Sequence, residues 1–268
     1  MRVALGDGTP ACYSGGESEN RGFRTMQWRT RHPVVPVRLA ERLGVERLRL
    51  RRAARRYAAH GWAVTPGACL TGDRFSCGRA GCPIMGCHPA LESWEDDAST
   101  DRARVSDWWR HRPYTVLLAT GVSFDVVDVP AALGLRALGA ARLHAGVLGL
   151  EHADGRGPVA VTPAGRWMFF VRPGTPLRPE LDACLDIVRH GRGSWVPAAP
   201  SRMPEGPVHW AVAPDEVHWR LPAAGAVQTM LCDALASLRR RADPARPPHG
   251  TGQILCVPRQ LSTSRRAG

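Results

Sequence analysis

The chain has 268 residues, enough for one sizeable domain, and its apolar content of 44% supports a buried core. All 36 basic residues are Arg against 24 acidic ones, a net charge of +12 that favours a polyanionic partner such as DNA, RNA or nucleotides. A run of about 18 apolar residues, which a spanning helix needs, is missing, and Arg2, Asp7 and the polar stretch Ser14 to Arg24 break up any secretory h-region. The expected location is therefore the cytoplasm, with no membrane partner.

Residues 1–25 are rich in Gly, Ser and Glu without helical or strand period, and Met26 is an alternative translation start. A disordered extension is expected over 1–35, one domain over 36–241, and a disordered basic tail over 242–268. From Pro36 to His60, Leu39, Leu43, Leu50, Ala54, Tyr57 and Ala58 share a helical face, and Gly44 is a place where the helix could divide. Trp62 to Pro66 reads as a short strand, and 67–92 as a Cys- and Gly-rich loop organised by something other than a core. A short helix is expected at Ser106 to Arg110. Buried strands follow at Tyr114 to Ala119 and Phe124 to Val129, joined by a turn at Thr120-Gly121. Pro130 suits the first turn of a helix continuing through Ala131 to Leu143. Val159 to Thr162 and Trp167 to Val171 form a hairpin around Pro163-Ala164-Gly165. The remaining expected elements are a helix at Leu177 to Val188, strands at Ser194 to Ala198 and Val208 to Val212, and an amphipathic helix at Ala223 to Arg241. Hairpins mixed with single helices point to an α+β fold rather than a regular parallel sheet.

Three of the eight Cys lie in Cys77-Gly-Arg-Ala-Gly-Cys82-Pro-Ile-Met-Gly-Cys87-His88. In a reducing compartment such a cluster suits a metal better than disulfides, and four thiolate or imidazole ligands close a tetrahedral zinc shell. Cys69, Cys77 and Cys82 are candidate ligands of a structural Zn2+, with Cys87 or His88 as the fourth; these last two are adjacent and do not both fit one ion. Unligated loop cysteines are the plain alternative.

Asp125 and Asp128 lie three apart on one strand, so they face opposite ways and do not share an ion. Trp108, Trp109, Arg110 and Arg112 form the best candidate group for stacking on single-stranded bases beside positive charge. Arg51, Arg52, Arg55 and Arg56 make a basic helical stripe, which a merely solvated face also explains. A Walker loop is missing, so any helicase must come from another chain.

The ordered set of motifs from about Ala53 to Trp210 resembles the bifunctional DNA primase/polymerase family of the archaeo-eukaryotic primase superfamily. Ala58 to Pro66 looks like its first helix–strand unit, and Leu117-Leu118-Ala119-Thr120-Gly121 like its strand ending in Thr-Gly. Phe124 to Val129 sits where the Asp-x-Asp strand belongs. Thr162-Pro163-Ala164-Gly165 is similar to its Thr-Pro-Ser-Gly hairpin, and Ser194 to Ser201, closed by Trp210, to its last strand. The resemblance implies an RRM-like mixed sheet flanked by helices, with the zinc loop as an insertion. It also implies nucleotidyl transfer onto DNA through three carboxylates holding two Mg2+ or Mn2+ ions. Asp128 and Asp186 are the matching catalytic acids, and Arg166 and Trp167 occupy the nucleotide-contacting stretch. The pattern departs where the second acid is replaced by Pro130 and the nucleotide-binding His by Trp167. Three readings follow: a weakened or lost polymerase, a degenerate DNA- or nucleotide-binding accessory module, and a zinc-stabilised protein-interaction scaffold.

Overall fold

In the computed structural model, residues 37–148 and 155–242 are described. The expected extension over 1–35, the alternative start at Met26 and nearly all of the expected tail over 242–268 lie outside them. None of the described helices is long and apolar enough to cross a membrane.

Helix α1 (Val37–Ala59) runs through Gly44 without a break. Leu50, Ala54, Tyr57 and Ala58 recur at helical spacing and are all buried, so one stripe of the helix is committed to the core. Its end is closed by paired bonds from Gly61 N–H to the Ala58 carbonyl and from Trp62 N–H to the Tyr57 carbonyl, a Schellman arrangement. Strands β1 (Val64–Gly67), β2 (Cys69–Thr71) and β3 (Arg74–Ser76) follow. Next come a single helical turn α2 (Trp94–Asp97) and α3 (Arg102–Trp108), the latter capped by Asp101 accepting from Ala103 N–H.

The two apolar runs expected as neighbouring strands are β4 (Thr115–Ala119) and β5 (Asp125–Pro130), and they enter different sheets. β4 is the centre of a three-stranded antiparallel sheet between β1 and β9 (Trp195–Pro197). The other sheet has five strands in the order β12 (His209–Val212), β6 (Val159–Val161), β7 (Arg166–Val171), β5 and β8 (Val188–His190). All of its pairings are antiparallel. α4 (Ala131–Leu148), a single turn α5 (Pro179–Asp182) and α6 (Ala224–Ala242) complete the main elements. A small hairpin, β10 (Arg202–Met203) with β11 (Gly206–Pro207), was not visible in the sequence pattern.

Alternation along the five-stranded sheet separates two cores. Val126, Ala160, Met168 and Phe170 face a cluster shared with α1, α3, β4 and β9. Val127, Val129, Val159, Val161 and Phe169 face the opposite way, onto α4 and α6. Both faces of the strands are thus buried, which explains why β5 and β7 read as continuous apolar runs rather than alternating ones. Each such fully buried side chain contributes about 1.5–3 kcal/mol.

The helix expected over Leu177 to Val188 is corrected: only Pro179–Asp182 is helical, and Val188–His190 is a strand. Leu177, Leu181 and Val188 are at helical spacing in the sequence, and Leu181 is buried. The β-branched Val188 also suits a strand, and here the free edge of β5 takes Val188–His190. Val126, Val127 and Asp128 pair with His190, Arg189 and Val188, so β8 satisfies backbone groups that β5 would otherwise leave open.

Candidate functional site

β5 carries its two acids to opposite sides of the sheet. Asp125 is 1% exposed and faces the α4–α6 side, where its Oδ2 accepts from Arg189 Nε and Nη2 and from the Gly174 backbone N–H. Asp128 faces the other side and remains partly open. The register brings two groups to it diagonally: Arg166 is opposite Pro130 on β7, and His190 is opposite Val126 on β8. Arg166 Nε donates to Asp128 Oδ1 at 2.9 Å, while His190 Nε2 stands 3.4 Å from Oδ2. Arg166 Nη2 also donates to the backbone carbonyls of Asp128 and Asp186, at 3.2 and 2.7 Å.

His190 is oriented by the turn that follows it. Its Nδ1 lies 2.9 Å from Ser194 Oγ, so the state that satisfies both contacts keeps a hydrogen on Nε2, pointed at Asp128. The turn is clamped by the end of β4: Thr120 Oγ1 donates to the Gly191 carbonyl at 2.6 Å, and Thr120 N–H donates to the Ser194 carbonyl. Gly121 must be glycine there. Its φ is +91°, and a Cβ would lie 2.1 Å from the Arg192 nitrogen. The Thr-Gly signature read from the sequence is therefore the brace of the turn that carries His190.

The expected site residues separate on this frame. Asp128 and Arg166 come together. Asp186 joins them through its backbone carbonyl, while its side chain belongs to an exposed residue. Trp167, expected to contact nucleotide, is corrected: it points to the opposite face from Arg166 and is buried in the α4–α6 core. Gly134 makes room for it, since a Cβ there would lie 2.4 Å from the indole. His190 was not anticipated. Its sequence neighbourhood was assigned to a helix, and only the β5–β8 register brings it to Asp128.

Trp108, Trp109, Arg110 and Arg112 do not form a shared stacking face. Trp109 is fully buried and its Nε1 donates to the Tyr114 carbonyl, which corrects its expected role. Trp108 packs against the core with Arg104 over its ring, and Arg110 pairs with Asp107. Arg112 lies against Gly78 in the cysteine loop.

That loop is pinned by Ala68 N–H donating to the His88 carbonyl and Ala90 N–H to the Pro66 carbonyl. The ligand atoms of Cys77, Cys82 and His88 all lie within 4.8 Å of one another, and among the described residues this is the one cluster able to hold a metal. His88 Nδ1 donates to the Gly86 carbonyl at 2.7 Å, which leaves Nε2, 3.5 Å from Cys82 Sγ, as the nitrogen available to a ligand. Burial pushes the Cys77 thiol up, but hydrogen bonds from His88, Arg79 and Cys82 outweigh it and bring the thiol down to about 6. Cys69 and Cys87 stand outside the cluster, and burial pushes their thiols up to about 11 and about 12.

The mixed α/β arrangement of several sheets and helices is consistent with a primase/polymerase domain. The sequence pattern of the bifunctional DNA primase/polymerase N-terminal domain matches residues 54–225, and the chain belongs to that family. Among curated proteins, none matches.

Proposed function

We propose that this chain is a primase/polymerase-fold protein that binds nucleic acid and has lost the two-ion nucleotidyl transfer of its family. One observation carries this reading: both carboxylate oxygens of Asp128 face cationic or hydrogen-donating groups, Arg166 on one side and His190 on the other. A divalent ion at Asp128 would sit beside the Arg166 guanidinium, a repulsion on the order of several kcal/mol at about 4 Å and an effective dielectric of about 20. The donor set does not offset it. Pro130 stands where a second acid is needed, and three ligand atoms do not converge on Asp128 among the described residues. These residues do not fit the two catalytic ions. Net charge of +12 and family membership support retained binding of DNA or nucleotides.

Zn2+ is the metal that the Cys77, Cys82 and His88 donors suit; with three positions of a tetrahedral shell supplied by these side chains, it would tie the β2–β3 hairpin to the chain leading to α2. A reducing cytoplasm suits these unpaired thiols.

The test has two arms on the same preparation: primer extension with Mg2+ or Mn2+, and anisotropy of a labelled single-stranded oligonucleotide. Binding without synthesis is the expected result. Synthesis abolished by Asp128→Ala would overturn the loss of transfer, and absence of binding at low salt would leave the protein-interaction scaffold.

A further inference from the structure

Far from Asp128 along the sheet order, α1 and β12 border a groove of about 670 Å³. Its lining includes the rings of Tyr57, Trp210 and Trp219, with Arg49, Arg52 and Arg56 along the helix side. These arginines recur at i, i+3 and i+7, so they form one row about 10 Å long on the helix.

The rings are held firmly. Tyr57 O–H donates to the Ala199 carbonyl at 2.6 Å and accepts from Trp210 Nε1 at 3.2 Å. His60 stacks on Trp219 with centroids 3.7 Å apart, and Trp219 Nε1 donates to Asp215 Oδ1 at 3.0 Å. The backbone supports the same placement, because His218 and Trp219 are consecutive left-handed residues with φ of 50° and 59°. Trp210 reaches the groove through a register shift in β12 between Trp210 and Val212. That irregularity lets Trp210 join the α1-side core while Val212 faces the α6 side.

The charges are incompletely paired. Arg56 is bonded to Asp215 and lies over the Trp219 ring, and Arg49 has only a 3.8 Å contact with the half-buried Glu46. Arg52 is exposed and has no hydrogen bond or ion pair among the described residues. Pre-set aromatic surface beside a row of guanidinium groups complements a ligand with flat apolar faces and a negative backbone. An acidic peptide would use the charge but leave the rings without flat partners, and a neutral one would leave the charge unused.

We infer that this groove is the seat of single-stranded nucleic acid, with bases against Trp210 and Trp219 and phosphates along Arg49, Arg52 and Arg56. The inference rests on the nucleic-acid-binding reading above and adds its location, which is separate from the Asp128 group. Base–aromatic contact is worth about 1–3 kcal/mol per base and is tolerant of sequence, so binding should be strong in salt dependence and weak in sequence preference.

The experiment is anisotropy of fluorescein-labelled oligo-dT of about twelve nucleotides, a length that spans one such site, with the full chain across a salt series. Arg49→Glu/Arg52→Glu alters only exposed positions, and its melting temperature should stay that of the wild type. Its affinity should fall at least ten-fold, and its slope of log K against log salt should flatten by about 1.4, from two lost phosphate contacts. Trp219→Leu should weaken binding about ten-fold with little change in slope, while Arg110→Glu, in the turn after α3, should bind as wild type. Binding within two-fold of wild type in both groove variants would overturn the location and leave the nucleic-acid reading standing. A wild-type chain that binds no oligo-dT at low salt would overturn both. A face used instead for self-association, seen as a dimer that the double variant abolishes, would overturn the location alone.

Discussion

Replacing Arg189 by Leu isolates the buried acid of β5. Asp125 is 1% exposed and takes three donors on Oδ2, two of them from Arg189, while its Oδ1 has no partner. Arg189→Leu leaves only the Gly174 N–H for a carboxylate that remains in the core. Breaking a fully buried pair costs about 3–5 kcal/mol. The Arg189 side chain is 32% exposed, so water already screens part of its charge and can enter when it is removed. An expected loss of about 2–3 kcal/mol follows from that discount. Urea unfolding followed by Trp fluorescence reads it as a lower midpoint at unchanged m-value. Because Arg189 precedes His190 on β8, the histidine's resonances should also shift in the native protein. A loss below about 0.5 kcal/mol, the scale of a surface substitution, would refute the assignment of Asp125 as a buried structural acid.

Tyr57→Phe should cost about 1–3 kcal/mol, since the Ala199 carbonyl and Trp210 Nε1 each lose a buried partner. Burial raises the Tyr57 pKa well above its ordinary 10.0, so the folded state keeps a proton that the unfolded chain releases. The stability due to this group is complete below pH 10 and is lost as pH rises above it. The same substitution should therefore flatten that decline in denaturant midpoints measured between about pH 9 and pH 11. Metal analysis of the purified chain should give one Zn2+, displaced by a thiol-reactive mercurial and absent in His88→Ala with Cys82→Ser. Stripping the metal should lower the melting temperature, and a zinc-free chain of full stability would remove the structural role of the loop.

The helical stripe of α1 and the β6–β7 hairpin were legible because each repeats a local period or carries a turn signature. Asp125 and Asp128 could be assigned to opposite faces from their spacing alone. Partnership across strands was not legible. His190 reaches Asp128 through a diagonal in the β5–β8 register, and its strand was hidden beside a stretch whose Leu177, Leu181 and Val188 also fit a helix. The Trp108–Trp109 pair misled for a related reason. Adjacent rings cannot share a helix face, and the core took Trp109. The cysteine loop was legible as a candidate metal segment, but that Cys77, Cys82 and His88 lie within reach of one another while Cys69 and Cys87 stand apart is visible only in the folded geometry.

The state of Asp128 is the centre of the account, and Mn2+ binding followed by electron paramagnetic resonance probes it most directly. The wild type and Asp128→Ala should bind Mn2+ identically, because Arg166 and His190 already engage the carboxylate. Arg166→Ala should leave this unchanged, since Pro130 still supplies no second acid. A Mn2+ site present in the wild type and lost in Asp128→Ala would contradict the account and return Asp128 to a catalytic metal centre.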